Sequence, residues 1–288
     1  MRLDLVDVFA NGPLSGNPLA VVHDGGGLSD ARMQALTNWL GFSETTFLST
    51  PTDPAADYAV RIFYPGGELP FAGHPTLGSC HAWLAAGGVP KAAGRVVQQC
   101  GIGLVTVKQD GDRLAFAAPP LVRSGPLSAA ERAAAIRLAG VDESAVVEAV
   151  LVANGPKWQL LRLNSAAAVL AAEPAAKAPA GTDIGLAGPC PPGGPADWEL
   201  RAFFTNQLGA FCEDPVTGSF NAGVALHLFA TGLVAGNYIA AQGRKVGADG
   251  LVHVSRDVDG VVWVGGRCAM VAGGAALAHP AATNVLRT

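Results

Sequence analysis

The chain has 288 residues, half of them hydrophobic and 15% charged, which is enough for two modest domains with ample cores. Its formal net charge is −4 and it has no basic cluster, which argues against a nucleic-acid partner. No apolar run approaches the roughly 18 residues that a membrane-spanning helix needs, so no membrane partner is predicted.

The cysteines and the N-terminal segment point to a cytoplasmic protein. The five cysteines are scattered and odd in number, which favours free thiols in a reducing compartment. The N-terminal apolar run contains Asp4 and Asp7, so it predicts a first strand rather than a signal peptide. Neither a Cys-x-x-Cys nor a His-x-x-x-His pair occurs, and no metal site is predicted.

The first part of the chain predicts two strands, a helix and a third strand. The strands cover residues 5–9 and 19–22, and the helix starts after its cap Ser29 and carries Trp39 on its apolar side, where we expect core packing. Glu44 stands at the mouth of the next strand, between apolar residues. A partly buried carboxylate there suits a general base, because burial raises its pKa toward neutrality. A solvated turn residue is the alternative interpretation.

A stretch of the first half recurs 140 positions later in the second half. Arg61 is matched by Arg201, and the Pro-Thr-Leu-Gly-Ser of residues 75–79 is matched by Pro-Val-Thr-Gly-Ser at 215–219. A long segment that occurs twice in the same order predicts two similar lobes rather than a solenoid.

Each copy places a polar residue and a proline before an apolar helix. The polar residue is the predicted N-cap of the helix, His74 in the first copy and Asp214 in the second. Gly218 and Ser219 lie in the predicted first turn of the second helix. Helix N-termini offer free N–H groups and a partial positive charge. Two of them facing one cleft would hold a small carboxylate, whereas a single one is more simply an ordinary helix start.

The remaining strand patterns complete a predicted α+β fold. It has two pseudo-symmetric lobes, each a mixed β-sheet or open barrel wrapped around a central helix. The N-terminal lobe covers 1–120 and the C-terminal lobe 128–288, with the packing of the last residues back onto the first lobe left open. A capping box at Ser128 opens the second lobe, and the Pro/Gly-rich residues 183–197 predict a surface excursion.

Seven short motifs then follow one another along nearly the whole chain. They are Asp-Val-Phe (7–9), Gly-Asn-Pro-Leu-Ala-Val-Val (16–22), Ser-Glu-Thr (43–45), Glu-Leu-Pro-Phe-Ala-Gly-His-Pro-Thr-Leu-Gly (68–78), Asn-Gly-Pro (154–156), Glu-Asp-Pro-Val-Thr-Gly-Ser (213–219) and Gln-Gly (242–243). In this order they resemble the PhzF-type phenazine biosynthesis isomerase family, which has the diaminopimelate epimerase-like fold. The resemblance implies a proton shift without a cofactor, a small-molecule carboxylate substrate and a homodimer.

The resemblance also assigns roles to six residues of this chain. Glu44 matches the family's catalytic acid/base, and the polar residues flanking it in the cleft are matched by His74 and Asp214. Positions near the substrate carboxylate are matched by Gly73, Gly218 and Ser219. The implied reaction takes a proton from one ring carbon and returns it to another on the same face, which suits a single base.

One departure from the family pattern and two rival hypotheses remain open. The family shows Gln-Gly-x-x-x-Gly-Arg-Pro, whereas this chain has Ala248 in place of the arginine, with Arg244 as a candidate substitute. A two-base amino-acid epimerase would use paired cysteines, but neither Cys80 nor Cys212 stands at a predicted helix start. A non-catalytic carboxylate-binding relative is the third hypothesis. The sequence fixes neither the substrate nor a phenazine pathway.

Overall fold

In the computed structural model, residues 1–277 are described, and their strands join into one 17-stranded sheet. The strands are β1 (Arg2–Val8), β2 (Asn17–His23), β3 (Thr45–Ser49), β4 (Tyr58–Tyr64), β5 (Gly67–Leu69), β6 (Arg95–Cys100), β7 (Gly103–Asp110), β8 (Arg113–Ala117), β9 (Arg123–Pro126), β10 (Val146–Ala153), β11 (Lys157–Leu163), β12 (Asp183–Pro189), β13 (Trp198–Thr205), β14 (Phe211–Asp214), β15 (Tyr238–Gln242), β16 (Gly250–Arg256) and β17 (Val262–Ala276). The α-helices are α1 (Asp30–Leu40), α2 (Gly73–Ala85), α3 (Ala129–Ala139), α4 (Ala166–Ala171) and α5 (Gly218–Ala230).

The same pairing scheme appears in both halves of the chain. β2 pairs with β3 in parallel, and β11 pairs with β12 in the same way. Antiparallel ladders then join β3–β4–β5 and β12–β13–β14. After the central helix, β6 returns parallel to β4, and β15 returns parallel to β13. The predicted α+β fold with two pseudo-symmetric lobes is therefore confirmed.

The two lobes share a core and exchange strands. The first part of β17 pairs with β16 and β8, and its remainder, residues 268–276, pairs with β1. In return, β9, which lies between the two predicted lobes, pairs with β10. One buried apolar cluster contains side chains of both halves, including Leu77 of α2 and Val224 of α5. The predicted second lobe extends to residue 288, and its last 11 positions lie outside the described residues.

Two local predictions are wrong, and one is confirmed. The Pro/Gly-rich excursion begins with β12, a largely buried strand, because Gly185 makes room for the Phe220 ring; a Cβ on Gly185 would lie 2.0 Å from it. Trp39 is 82% exposed, since α1 packs through Met33 and Thr37. The capping box at Ser128 is present, with its hydroxyl accepting from the Glu131 N–H.

The register of the repeat also differs from the sequence alignment. Arg61 pairs with Glu68 across the β4–β5 hairpin, and Arg201 pairs with Glu213 across the longer β13–β14 hairpin. After these hairpins α2 and α5 each start at a glycine and run for 13 residues, although Gly218 follows Gly73 by 145 positions rather than 140. The matching of 75–79 with 215–219 is therefore wrong, because the longer hairpin absorbs five residues.

The paired arginines give a matched stability prediction. Arg201 is 3% exposed and also donates to the Val169 and Ala172 carbonyls, whereas the Arg61 side chain is 36% exposed. Because Arg201→Met leaves the Glu213 carboxylate buried and unpaired, we expect a loss of about 3–5 kcal/mol in the free energy of unfolding. Arg61→Met removes the same charge from an exposed pair and should cost at most about 1 kcal/mol. Urea denaturation measures both, and equal losses would contradict the prediction.

Candidate active site

The N-termini of α2 and α5 meet where the two lobes join. A Cβ added to Gly218 would lie 3.0 Å from Gly73 Cα, and one added to Gly73 would lie 2.6 Å from the Phe116 ring. Both positions require glycine because another backbone or a buried ring approaches so closely. The structure therefore brings the two predicted helix starts face to face.

The helix starts lie at different residues from those predicted. α2 begins at Gly73 after the cap position Ala72, so His74 is its second residue rather than its cap. Asp214 ends β14, and α5 begins only after the cap position Thr217. The predicted cap roles are wrong because Asp214 is held in an extended strand and its carboxylate accepts a hydrogen bond from the Thr217 hydroxyl at 2.6 Å.

Glu44 lies immediately before β3 and faces His74. Its Oε2 is 3.5 Å from His74 Nε2, and the two side chains are 17% and 5% exposed. Neither of these two atoms has a hydrogen-bond partner among the described residues. Buried polar atoms are nearly always paired, so an unpaired acid and imidazole at a lobe junction make this place a candidate ligand site.

Burial drives the pKa values of Glu44 and His74 in opposite directions. Burial raises the pKa of Glu44 to about 8, and the nearby Asp214 charge raises it further. Burial lowers the pKa of His74 to about 3, so its ring is neutral at physiological pH. Glu44 therefore exchanges its proton close to neutral pH, beside an imidazole that does not compete for it.

Asp214 is held by donors from both lobes. Asn17 Nδ2 donates to its Oδ1 at 3.1 Å, and Gln242 Nε2 donates to its carbonyl at 3.2 Å and to Thr217 Oγ1 at 2.9 Å. Burial raises the pKa of Asp214 to about 6, against the opposing hydrogen bonds from Thr217 and Asn17. The sequence motifs include Asn17 and Gln242, but their partners lie far along the chain, so the sequence alone does not predict these hydrogen bonds.

Ser219 completes the second-lobe side of the junction. Trp158 Nε1 donates to its hydroxyl at 3.0 Å, and Asn154 Nδ2 donates to its carbonyl at 2.8 Å. The six residues singled out from the sequence, Glu44, Gly73, His74, Asp214, Gly218 and Ser219, thus lie around one junction. Ser219 is the second residue of α5, so its structural counterpart in the first lobe is His74.

Comparison with known proteins decides the family. The family model described as "Phenazine biosynthesis-like protein" matches residues 6–274. The chain belongs to the PhzF family. Its ordered motifs, including the Glu-Leu-Pro-Phe-Ala-Gly-His-Pro stretch that contains His74, are therefore explained by descent rather than by chance.

Individual relatives give the same assignment. The trans-2,3-dihydro-3-hydroxyanthranilate isomerase of Pseudomonas aeruginosa is 34% identical over 232 residues, 79% of each chain. "Antisense-enhancing sequence 1" of Schizosaccharomyces pombe is 38% identical over 172 residues, covering 57% of this chain and 58% of that protein. The crystal structure of a PhzF-family protein from Enterococcus faecalis has a TM-score of 0.76 and 25% identity, covering 96% of this chain and 99% of that one. The chain is an isomerase of the PhzF family.

Residues 1–277 of this PhzF-family isomerase lack two kinds of feature. No group of three or more His, Cys, Asp or Glu side chains in that range is arranged to hold a metal ion. No helix in that range is both long and apolar enough to cross a membrane.

The negative charge of Asp214 should have a measurable effect on the pKa of Glu44. We expect Asp214→Asn to lower the Glu44 pKa below about 8, because the nearby negative charge that disfavours ionisation is removed. Titration of the Glu44 carboxyl carbon by ¹³C NMR in the free enzyme measures this shift. Asp30→Asn is the control, since that side chain is 79% exposed and pairs with Arg61. An unchanged Glu44 pKa in Asp214→Asn would contradict the prediction.

Proposed function

We propose that this PhzF-family isomerase moves a proton between two carbons of a small cyclic carboxylic acid, with Glu44 as the general acid/base and without a cofactor. The observation that carries the proposal is the largely buried Glu44 carboxyl: its Oε2 has no hydrogen-bond partner among the described residues, and burial raises its pKa to about 8. Such a group accepts a proton from an activated carbon and returns it, because its pKa lies near the working pH.

The helix starts supply the site for the substrate carboxylate. The first turns of α2 and α5 point their free N–H groups at the junction, and Gly73 and Gly218 let the two backbones approach closely. The Ser219 hydroxyl lies in the first turn of α5 and offers a further polar contact. A substrate acid bound here would lie beside Glu44 and the neutral His74 ring.

The positions of the thiols favour one base over two. Cys80 is fully buried inside α2, and burial raises its thiol pKa. Cys212 lies in β14, where Asn206 Nδ2 approaches its sulfur at 3.4 Å. Neither cysteine stands at a helix start, so these two thiols do not provide the pair of bases that a two-thiol epimerase needs on opposite sides of a bound carbon. A single carboxylate that works on one face suits an allylic shift.

The name of one relative narrows the substrate class. The P. aeruginosa relative is named as an isomerase of a hydroxyanthranilate derivative, which is a ring that bears a carboxylate. We propose the same class for this chain, without assigning that particular molecule. Ala248 stands where the family pattern has an arginine, which is a reason not to carry over the substrate of that relative.

The test is proton exchange with solvent. The enzyme is incubated in D₂O with a panel of cyclic and partly unsaturated carboxylic acids, and ¹H NMR follows each carbon-bound proton. We expect deuterium to enter a substrate at one carbon as the double bond moves. Saturable binding of such acids without exchange at any carbon would contradict the proposal and favour a carboxylate-binding protein.

We also propose a cytoplasmic homodimer. The five cysteines are free thiols, as a reducing compartment requires, and the family resemblance implies the dimer. Light scattering coupled to size-exclusion chromatography should give a mass near twice the 29.2 kDa of one chain. A mass of one chain at micromolar concentration would contradict the dimer.

A further inference from the structure

Arg244 makes two charged contacts beside the candidate active site. It opens a short 3-10 helix, Arg244–Val246, which lies in the segment that follows β15, here called the 243–249 turn. Its Nη1 lies 3.0 Å from Glu199 Oε2, and its Nε lies 3.5 Å from Asp249 Oδ1. Glu199 is fully buried in β13, and neither of its carboxylate oxygens accepts a hydrogen bond among the described residues. The Arg244 guanidinium therefore provides a close positive charge for the buried Glu199 carboxylate.

The surroundings of Glu199 show how much depends on that cation. Burial raises the pKa of Glu199 to about 7, and Arg244 is the strongest of the groups that oppose this rise. Arg201 also opposes it, whereas Asp249 and Glu213 add to it. Removing only the arginine would leave a buried carboxylate that must either take up a proton or destabilise the fold.

At its N-terminal end, the turn that carries Arg244 contacts residues 214–217 of the candidate site. Gln242, two residues earlier, is the side chain that holds Thr217 and the Asp214 carbonyl. Gly243 between them has φ +102, and a Cβ there would lie 2.5 Å from the Pro215 carbonyl. The turn is thus packed directly against the segment that ends in α5.

The C-terminal end of the same turn reaches the first lobe. The Asp249 N–H donates to the Ser15 carbonyl at 2.7 Å, and Asp249 Oδ2 accepts from Asn11 Nδ2 at 2.9 Å. The loop that contains Asn11 and Ser15 continues into Asn17, the first-lobe donor to Asp214. Arg244 therefore lies at the centre of a chain of contacts that approaches Asp214 from both lobes.

We propose that Arg244 is a positioning residue: by pairing with Glu199 and Asp249, it clamps the 243–249 turn against the 11–16 loop and so fixes Asp214 beside Glu44. In this chain it takes over a charge that the family pattern places at position 248. The proposal rests on the function proposed for Glu44 and Asp214, but its principal readout is independent of turnover.

The test removes the pair without leaving a lone buried charge. Glu199→Gln and the double variant Glu199→Gln/Arg244→Gln are compared with the wild-type enzyme, and ¹³C NMR titration gives the Glu44 pKa in each. If the clamp opens, Asp214 moves away from Glu44 and its negative charge no longer raises the Glu44 pKa, so that pKa falls below about 8. We expect the double variant to show the larger fall and to lose about 10–100-fold in kcat, with a smaller change in KM.

Matched variants separate positioning from stability. Arg61→Gln removes an arginine that pairs with Glu68 and Asp30 away from the junction, and it should leave the Glu44 pKa unchanged. Arg244→Lys keeps the charge and should keep most of the Glu44 shift. Thermal unfolding confirms that each variant is folded, and Glu199→Gln serves alone if the double variant is not.

The outcomes are distinguishable. An unchanged Glu44 pKa and kcat in the folded double variant, or in Glu199→Gln if that is used alone, overturns the clamp. If the Glu44 pKa falls in the double variant but Glu44→Gln still isomerises the substrate, the clamp is supported and the proposed role of Glu44 is wrong.

Discussion

Replacing Glu44 with glutamine is expected to reduce isomerisation by about 10²–10⁴-fold, the usual contribution of a general acid/base. Glutamine keeps the shape of the side chain but cannot accept the substrate proton. The neutral His74 ring beside it has a pKa lowered to about 3, so it is too weak a base to take over at pH 7. Deuterium uptake from D₂O and product formation, both followed by NMR, measure the loss.

Stability separates this loss from misfolding. The folded state raises the Glu44 pKa from 4.5 to about 8, so between these pH values the folded protein binds more protons than the unfolded chain. The contribution of Glu44 to the free energy of unfolding therefore falls as the pH rises from 4.5 to about 8, and above that pH the ionised Glu44 destabilises the folded state to the full extent. Glu44→Gln has no such cost, so we expect its melting temperature to exceed that of the wild type at pH 9 and to match it below pH 4.5.

Glu68→Gln is the control for Glu44→Gln. It removes a carboxylate of the same length, which is exposed and paired with Arg61, and should leave activity unchanged. Exchange at the wild-type rate in Glu44→Gln would sink the assignment of the base. A melting temperature that falls with activity at pH 9 would instead indicate a structural role.

Gly73→Ala is expected to damage both folding and activity. Its Cβ would lie 2.6 Å from the buried Phe116 ring and 3.1 Å from Gly218 Cα, so the ring or one of the helix starts must move. Overpacking of this kind costs about 1–3 kcal/mol in the free energy of unfolding. A displacement of about 1 Å between the helix starts would lower kcat by about 10²-fold. Urea denaturation and steady-state kinetics measure the two effects.

Gly236→Ala is the matched control for Gly73→Ala. It adds the same methyl group at an exposed glycine with nothing within 4 Å of the new atom. We expect its stability and kcat to stay close to the wild-type values. If Gly73→Ala keeps full activity as well, the close approach of the two helix starts is not needed for the reaction.

The sequence by itself determined features that depend on neighbouring residues or on ordered motifs. The capping box at Ser128 needs only a side chain and a backbone N–H three positions apart, so it could be predicted and is present. The duplicated strand–helix unit predicted two lobes correctly. Glu44 and His74 each stand in a motif at the end of an element, which makes them candidates from sequence alone, and the fold brings Glu44 Oε2 to 3.5 Å from His74 Nε2.

Tertiary structure decided the features that depend on contacts between distant parts of the chain. The repeat changes register because the β13–β14 hairpin is five residues longer than the β4–β5 hairpin. The sequence alignment misses this shift because Pro, Gly and Ser are identical at the offset of 140 positions. Gly185 looked like a loop glycine, but it makes space for the Phe220 ring across the core. The bond from Asn17 to Asp214 and the pairing of Arg244 with Glu199 join positions far apart along the chain. Local sequence patterns do not predict such contacts, because the packing of the whole chain decides which distant side chains meet.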